Sequence, residues 1–185
     1  MKLPRDFYAR PCLDVARALV GKHLVHRAKG ARRVRSGRIV EVEAYVHEED
    51  QACHARFGRT PRASLLFGPP GHAYVFLIYG MYDCFNVVCE PEHSPAAVLV
   101  RAVEPDPGVD GRTDGPGKLC RALGITRALN GADLTGAQIW LEDRGEPAPR
   151  LAATPRIGVD YAGEWALKPW RFVDADSAFL SRRLK

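Results

Sequence analysis

The segment Arg38-Ile-Val-Glu-Val-Glu-Ala-Tyr-Val46 constrains the fold more strongly than any other part of the sequence. Its polarity alternates, and in a β-strand the side chains two positions apart lie on the same face. The pattern therefore predicts a strand with two chemically different faces. One face carries Val40, Val42, Ala44 and Val46, and the other carries Ile39, Glu41, Glu43 and Tyr45.

Two interpretations of the acidic face are open at this point. A solvated strand could carry two carboxylates at little cost, because charged side chains normally lie on the surface. Three observations favour a functional site instead. The strand is rich in β-branched residues, a histidine follows in Ala52-Cys-His54, and an unusually aromatic hairpin comes next. Glu43 beside Tyr45 is therefore the candidate reactive centre.

Length and composition limit the class of protein. The chain has 185 residues, enough for one domain or two small ones. Because 46% of the residues are hydrophobic, it can bury a core without disulfides or structural metals. The 26% of charged residues argues against global disorder. The net charge of +5 favours anionic partners, although it would equally suit an ordinary enzyme.

The cysteines indicate a reducing compartment. Their number, five, is odd and none form a Cys-x-x-Cys pair, so neither a disulfide framework nor a zinc ribbon is expected. Cys53, His54 and the nearby His47 could suggest a metal, but their spacing matches no known finger. No apolar stretch approaches the roughly 20 residues of a membrane span, and the N-terminus lacks a signal-peptide pattern. We therefore expect a cytoplasmic protein without membrane contact.

The order of the predicted elements favours an α+β fold. Helices are predicted over 11–20, 118–123 and 164–170, and strands over 23–27, 38–46, 72–79, 82–89, 97–103, 138–142 and 156–159. Strands joined by short turns pair antiparallel, so we expect one domain over 1–185 with a mainly antiparallel sheet flanked by short helices. Residues 176–185 are expected to form a mobile tail.

The hairpin over 72–89 has a bulky apolar tip, Tyr79-Gly-Met-Tyr82. A strand buried on both faces explains the aromatic residues before the tip. It does not explain the tip itself, because large apolar side chains at a turn are wasted unless they meet a partner. Wedging between the base steps of DNA is one use for such a tip.

Three polar residues lie in unexpected places. Asn86 lies in an apolar strand, where an amide without hydrogen bonds costs about 1–3 kcal/mol, and bonding to the backbone is the commoner explanation. Arg101 lies in another apolar strand and could pair with Glu41 or reach a phosphate. Lys118 follows Gly115-Pro-Gly117 at a predicted helix start, which also favours anions. That loop is not a Walker sequence, so nucleotide binding is a weak interpretation.

Several motifs of well-known enzyme classes are missing. The sequence has no Gly-x-Ser-x-Gly elbow, no His-Glu-x-x-His and no dinucleotide fingerprint. These absences argue against hydrolases of the elbow type, zinc proteases and Rossmann oxidoreductases.

A set of short motifs occurs in the order that is found in one enzyme family. They are Arg38-Ile-Val-Glu-Val-Glu-Ala-Tyr45, Ala52-Cys-His54, Gly58-Arg-Thr-Pro-Arg62, Tyr79-Gly-Met-Tyr82, Asn86, Val98-Leu-Val-Arg-Ala-Val-Glu-Pro105, Gly115-Pro-Gly-Lys-Leu-Cys120 and Arg156-Ile-Gly-Val159. From about Phe7 to Phe172 the chain resembles the alkyladenine (3-methyladenine) DNA glycosylase family of the mammalian type, as a bacterial-like member. Each motif is short, but their order makes the resemblance specific.

The resemblance implies a monofunctional DNA glycosylase on a single domain with a curved antiparallel sheet. Such an enzyme flips alkylated or deaminated purines out of duplex DNA. It then hydrolyses the N-glycosidic bond with a glutamate-activated water and leaves an abasic site for base excision repair. The implied partner is double-stranded DNA with damaged purines, the implied state is a monomer, and no metal or other cofactor is implied.

The resemblance also implies a role for each site residue. Glu43 matches the carboxylate that activates water, and Arg101 matches an arginine beside that water and the flipped nucleotide. Residues that match contacts to the flipped base are Tyr45, His54, Phe76, Asn86 and Leu99. Residues that match the intercalating tip are Tyr79 and Met81.

One of the residues that match contacts to the flipped base departs from the family pattern. Phe76 stands where mammalian members carry a tyrosine against the base. Since the ring remains, stacking is expected to survive. Since the hydroxyl is missing, the range of accepted lesions is open.

Two other functions are compatible with the sequence. The first is a non-catalytic domain that senses damage or binds RNA through the same basic, aromatic surface. A pure binder gains nothing from a carboxylate near phosphates, so Glu43 favours the enzyme. The second is hydrolysis of free nucleosides, which would need no DNA and would show no strong dependence on salt.

Overall fold

The strand predicted at 38–46 is the central element of the sheet. The computed structural model describes residues 1–184, and in it this strand extends over Arg35–Val46. The eight strands are β1 (His23–His26), β2 (Arg35–Val46), β3 (Ala73–Ile78), β4 (Tyr82–Val88), β5 (Ala96–Pro105), β6 (Ile139–Glu142), β7 (Leu151–Thr154) and β8 (Arg171–Asp174). All their pairings are antiparallel, in the order β3-β4-β5-β2-β1-β6, with β8 between β2 and β7.

Short helices flank this curled sheet. The α-helices are α1 (Arg5–Tyr8), α2 (Cys12–Leu19) and α3 (Pro116–Leu123), and 3₁₀ helices cover His54–Phe57, Ser64–Phe67, Arg127–Leu129 and Asp160–Leu167. α3 begins with Pro116 in its first turn and is closed by Gly124, whose φ of 71° an L-residue rarely adopts. The prediction of one α+β domain with a mainly antiparallel sheet is confirmed.

The main core lies between one face of the sheet and the helices α2 and α3. Val42 and Ala44 of β2 contribute to it together with Val15 of α2 and Leu123 of α3. Because neighbouring side chains on a strand alternate, Glu43 and Tyr45 lie on the opposite face. Both glutamates of β2 are fully buried, so the interpretation of a solvated acidic strand is wrong.

The predicted alternation fails at the start of β2. Ile39 was expected beside the glutamates, yet it lies in the main core, whereas Val40 packs in a separate cluster with Val173. The cause is an irregular register with β5, which shifts between Ile39 and Glu41 and again between Glu41 and Val42. Such a bulge exchanges the faces of the residues before and after it.

The C-terminal third of the chain differs from prediction in two places. The strand expected at 156–159 is wrong: β7 lies at Leu151–Thr154, and 156–159 is not a strand. The helix expected at 164–170 is the 3₁₀ helix Asp160–Leu167, which is interrupted at Gly163. Residues Leu180 and Ser181 make buried contacts that the prediction of a mobile tail did not include.

The helices of residues 1–184 are too short and too polar for any of them to traverse a lipid bilayer.

Candidate active site

The carboxylate of Glu43 is fully buried and accepts three hydrogen bonds. Its Oε1 accepts from the backbone N–H of Ile157 at 2.7 Å. Its Oε2 accepts from the Tyr45 hydroxyl at 2.7 Å and from Arg101 Nη1 at 3.3 Å. A buried charge is stable only when it is paired and hydrogen-bonded, and these three donors supply both.

The two side chains that donate to Glu43, Tyr45 and Arg101, both remain protonated. Burial, reinforced by the neighbouring Glu43 carboxylate, raises the pKa of Tyr45 well above its ordinary value, so the hydroxyl keeps its proton and donates a hydrogen bond to Glu43. Burial disfavours the charge of Arg101, but the carboxylates of Glu43 and Glu41 outweigh it and raise the pKa of the guanidinium. Arg101 also donates from Nε to Glu41 Oε1 at 3.1 Å, which is one of the two partners that the sequence left open for it.

A cavity of about 810 Å³ opens in front of this group. Tyr45, Arg101 and Ile157, which all bond to Glu43, line it, whereas Glu43 itself lies one hydrogen bond behind the surface. The other predicted residues that line the cavity are His54, Phe76, Tyr79, Asn86 and Leu99. Met81 is the one predicted site residue, apart from Glu43, that does not line it.

One wall of the cavity is a set of aromatic rings. The rings of His54 and Phe76 meet edge to face, with centroids 4.6 Å apart. His54 Nδ1 is hydrogen-bonded to the Tyr74 hydroxyl at 2.9 Å, which fixes the orientation of the imidazole. Tyr74 also lies 5.3 Å from Phe76, ring to ring. Sequence reasoning assigned no role to Tyr74, because strand alternation marked it only as a buried aromatic residue.

His54 is neutral at physiological pH. Burial, followed by the nearby charges of Arg62 and Arg56, lowers its pKa from 6.5 to about 4. A neutral imidazole does not repel a cationic ligand, which makes this wall compatible with a positively charged base.

The pKa of His54 also predicts how stability changes with pH. Between pH 6.5 and 4 the unfolded chain takes up a proton that the folded protein excludes, so the free energy of unfolding should fall as the pH falls through this range. A His54→Gln variant should lose this part of the dependence in urea titrations at several pH values. The control is Gln51→Asn, which replaces an exposed side chain that does not titrate and should leave the slope as in the wild-type protein. An unchanged slope in His54→Gln would contradict the prediction.

The side chain of Asn86 is hydrogen-bonded to the backbone and also lines the cavity. Its Nδ2 donates to the carbonyl oxygens of Tyr74 at 3.1 Å and Cys84 at 3.3 Å. The structural explanation for this amide is therefore confirmed. The same bonds hold the side chain rigidly where it lines the cavity next to Leu99, its partner on β5.

A buried ion pair behind Tyr45 was missed by sequence reasoning. The side chains of Arg156 and Asp50 are both fully buried, and Nη1 and Nη2 of the arginine reach the carboxylate at 2.6 and 2.8 Å. The guanidinium lies 4.8 Å from the centre of the Tyr45 ring and donates to the carbonyl of Ala44. Because the next residue, Ile157, donates to Glu43, this pair anchors the segment that holds the carboxylate.

The tip of the β3–β4 hairpin projects into solvent. Tyr79 is 82% exposed and Met81 64% exposed. Tyr79 and Gly80 have φ angles of 51° and 70°, as in the turns that suit β-hairpins. A positive φ is unfavourable for a tyrosine and typically costs about 1–3 kcal/mol, a strain that tends to occur at functional positions.

Cations predominate around the cavity. Its basic lining residues are Arg62, Arg101, Arg112, Lys118 and Arg121, and its acidic lining residue is Asp110. Lys118 stands in the first turn of α3, where free backbone N–H groups also attract anions. Among residues 1–184, no three His, Cys, Asp or Glu side chains converge in a way that could hold a metal ion.

The sequence of the whole chain is similar to that of known proteins. Residues 6–178 match the methylpurine-DNA glycosylase family. A protein of Anaeromyxobacter dehalogenans is 55% identical over 183 residues, which cover 98% of this chain and 87% of the relative. A protein of Methanocella arvoryzae is 52% identical, with coverage of 98% and 96%. Both are provisionally named 3-methyladenine DNA glycosylase.

The chain therefore belongs to the methylpurine-DNA glycosylase family. It is a DNA glycosylase, a hydrolase of DNA repair, and the resemblance deduced from the sequence is confirmed.

Proposed function

We propose that this protein removes alkylated and deaminated purines from duplex DNA, 3-methyladenine among them, and leaves an abasic site. The observation that carries the proposal is the Glu43 carboxylate, which Arg101 and the Tyr45 hydroxyl hold at the edge of an aromatic cavity. The names of the relatives support 3-methyladenine as a substrate. The protein would act as a monomer on chromosomal DNA in the cytoplasm.

The aromatic cavity suits a damaged base that has left the helix. A base inside a duplex cannot reach the cavity, so the nucleotide must be rotated out, which is easiest for damaged or mispaired bases. Stacking on an aromatic side chain is worth roughly 1–3 kcal/mol per base and tolerates different bases. A cationic alkylated purine gains further attraction from the π faces of Tyr45 and Phe76, and neutral His54 does not oppose it.

Glu43 is the proposed general base. Cleavage of the N-glycosidic bond builds positive charge on the sugar, which a nearby carboxylate stabilises while it accepts a proton from the attacking water. Oε1 accepts a single hydrogen bond, from the N–H of Ile157, and therefore retains a lone pair for the water proton. Because Glu43 is buried, this role requires Ile157 or Tyr45 to move enough to admit the water.

Selection against normal bases would depend on Asn86 and Leu99, which line the cavity. Asn86 is held by two backbone carbonyls and cannot easily swing away, so it would crowd the 2-amino group of an undamaged guanine. Leu99 fills the adjacent space. Phe76 supplies stacking area without a hydroxyl, so lesions that rely on a hydrogen bond at this position are expected to be poorer substrates.

The exposed hairpin tip would fill the gap that the flipped nucleotide leaves. We expect a Tyr79→Ala variant to bind lesion DNA about tenfold more weakly, in line with the loss of roughly 1–3 kcal/mol of stacking. The single-turnover rate on bases that flip easily should change much less. Fluorescence anisotropy and rapid quench measure the two quantities. The control is Leu167→Ala, which removes a large exposed apolar side chain that does not line the cavity. Equal effects of both variants would contradict the intercalating role of the hairpin tip.

A panel of lesions in oligonucleotide duplexes tests the proposal. Hypoxanthine, 3-methyladenine, 7-methylguanine and ethenoadenine duplexes are incubated with the protein, and alkali-labile sites are scored against an undamaged duplex. Binding without cleavage on every lesion would favour a damage-sensing domain. Release of bases from free nucleosides, without the salt slope of about −0.9 per phosphate contact, would favour a nucleoside hydrolase.

A further inference from the structure

The C-terminal segment, residues 179–181, folds back onto the acidic face of β2. Leu180 is buried in a cluster with Val40, Ala102 and Val173, and Phe179 packs against the same cluster. This contact carries Ser181 to the side chain of Glu41, at the end of the sheet face that holds Glu43. The C-terminal segment is thus in contact with the residues next to the proposed active site.

The carboxylate of Glu41 accepts four hydrogen bonds. Its Oε2 accepts from the backbone N–H of Ser181 at 2.6 Å, and its Oε1 accepts from the Ser181 hydroxyl at 2.7 Å. Arg171 Nε donates to Oε1 at 2.7 Å and Arg101 Nε at 3.1 Å. The carboxylate has no exposed area, so it is not free to reorient toward solvent. No part of the proposed chemistry uses it.

Arg101 connects Glu41 to Glu43. Its Nε binds Glu41, and its Nη1 binds Glu43 at 3.3 Å. The guanidinium is planar and its N–H groups have a fixed geometry, so holding Nε also sets the direction of Nη1. The Ser181 hydroxyl also lies 3.4 Å from Arg101 Nε and supports the same orientation.

We infer that Glu41 and Ser181 are positioning residues of the reaction: the C-terminal segment, through Glu41, holds Arg101 in the orientation that contacts Glu43. The inference rests on the proposed function for its effect on excision. The orientation of the Arg101 side chain itself can be measured in the free protein, without substrate. The C-terminal segment is on this view a component of the active site.

The experiment compares three variants of the full chain. Ser181→Ala removes the hydroxyl from Glu41, Ser181→Thr restores one, and Ser177→Ala removes a tail hydroxyl that bonds to the backbone of Phe179 instead. Single-turnover excision of hypoxanthine should fall about five- to tenfold in Ser181→Ala, the loss typical of one buried hydrogen bond. Affinity for lesion DNA should stay within about twofold, and Ser181→Thr and Ser177→Ala should behave as wild type.

Two further measurements separate positioning from a general structural role. In an Arg101→Lys background, Ser181→Ala should add no further loss of rate, because the two residues act through one contact. In ¹⁵N NMR of the free protein, the Arg101 Nε–H signal should exchange with solvent faster in Ser181→Ala and not in Ser177→Ala. Additive rate losses, or an unchanged Nε–H signal, would overturn the inference. An inactive wild type with the expected NMR change would refute the proposed function and retain the positioning.

Discussion

A Glu43→Gln variant is expected to excise hypoxanthine from duplex DNA about 10²–10⁴ times more slowly than the wild-type protein under single-turnover conditions. Glutamine has nearly the shape of glutamate but cannot accept a proton from water at neutral pH. It also has one acceptor oxygen where the carboxylate has two, and in this protein both oxygens are in use. The variant therefore loses the general base and one of its supporting hydrogen bonds.

The measurement pairs rapid-quench kinetics with equilibrium binding. Affinity for hypoxanthine DNA should change little, because Glu43 lies behind the cavity surface and does not contact the stacked base. Glu90→Gln is the matched control. Glu90 is a nearly buried carboxylate that accepts the N–H of Cys12 at 2.8 Å, away from the cavity. A Glu43→Gln protein with the wild-type rate would exclude Glu43 as the base.

The parts of the fold that follow from local pattern could be predicted. Helix α2 after Pro11, the β3–β4 hairpin and α3 between Pro116 and Gly124 all depend on residues close together in the chain. The bulge in β2 could not be predicted, because it arises from its register with β5, a strand about 60 residues away. The bulge places Ile39 in the main core and Val40 outside that core, which is the reverse of the predicted pattern.

The site, like the fold, could be predicted only where it depends on residues that are close together in the chain. Glu43 and Tyr45 share a strand face, so periodicity placed them together, and the resemblance chose Glu43 over Glu41. Two of the three groups that bond to Glu43 come from distant segments: Arg101, which the resemblance indicated, and the N–H of Ile157. A backbone donor has no side-chain signature, and an ion pair between positions 50 and 156 leaves no periodic pattern. The contributions of the Ile157 N–H and of this ion pair became visible only when the packing of the C-terminal half was known.

Breaking the Asp50–Arg156 pair should have the largest effect on stability. We expect Asp50→Asn to lower the free energy of unfolding by about 3–5 kcal/mol, because the variant leaves a fully buried guanidinium without a counter-charge. Asp50 also accepts the backbone N–H groups of Val46 and Ala52, so the turn after β2 loosens as well. Urea denaturation followed by circular dichroism measures the change.

The matched control is Asp176→Asn, which breaks the exposed pair with Arg150 and should leave the urea midpoint close to that of the wild-type protein, because water screens an exposed ion pair. The double variant Asp50→Asn/Arg156→Met should recover part of the loss, because it removes the uncompensated charge along with its partner. If Asp50→Asn were as mild as the control, the pair would not anchor the segment that carries Ile157. The Ile157 N–H would then be held against Glu43 by contacts other than this ion pair.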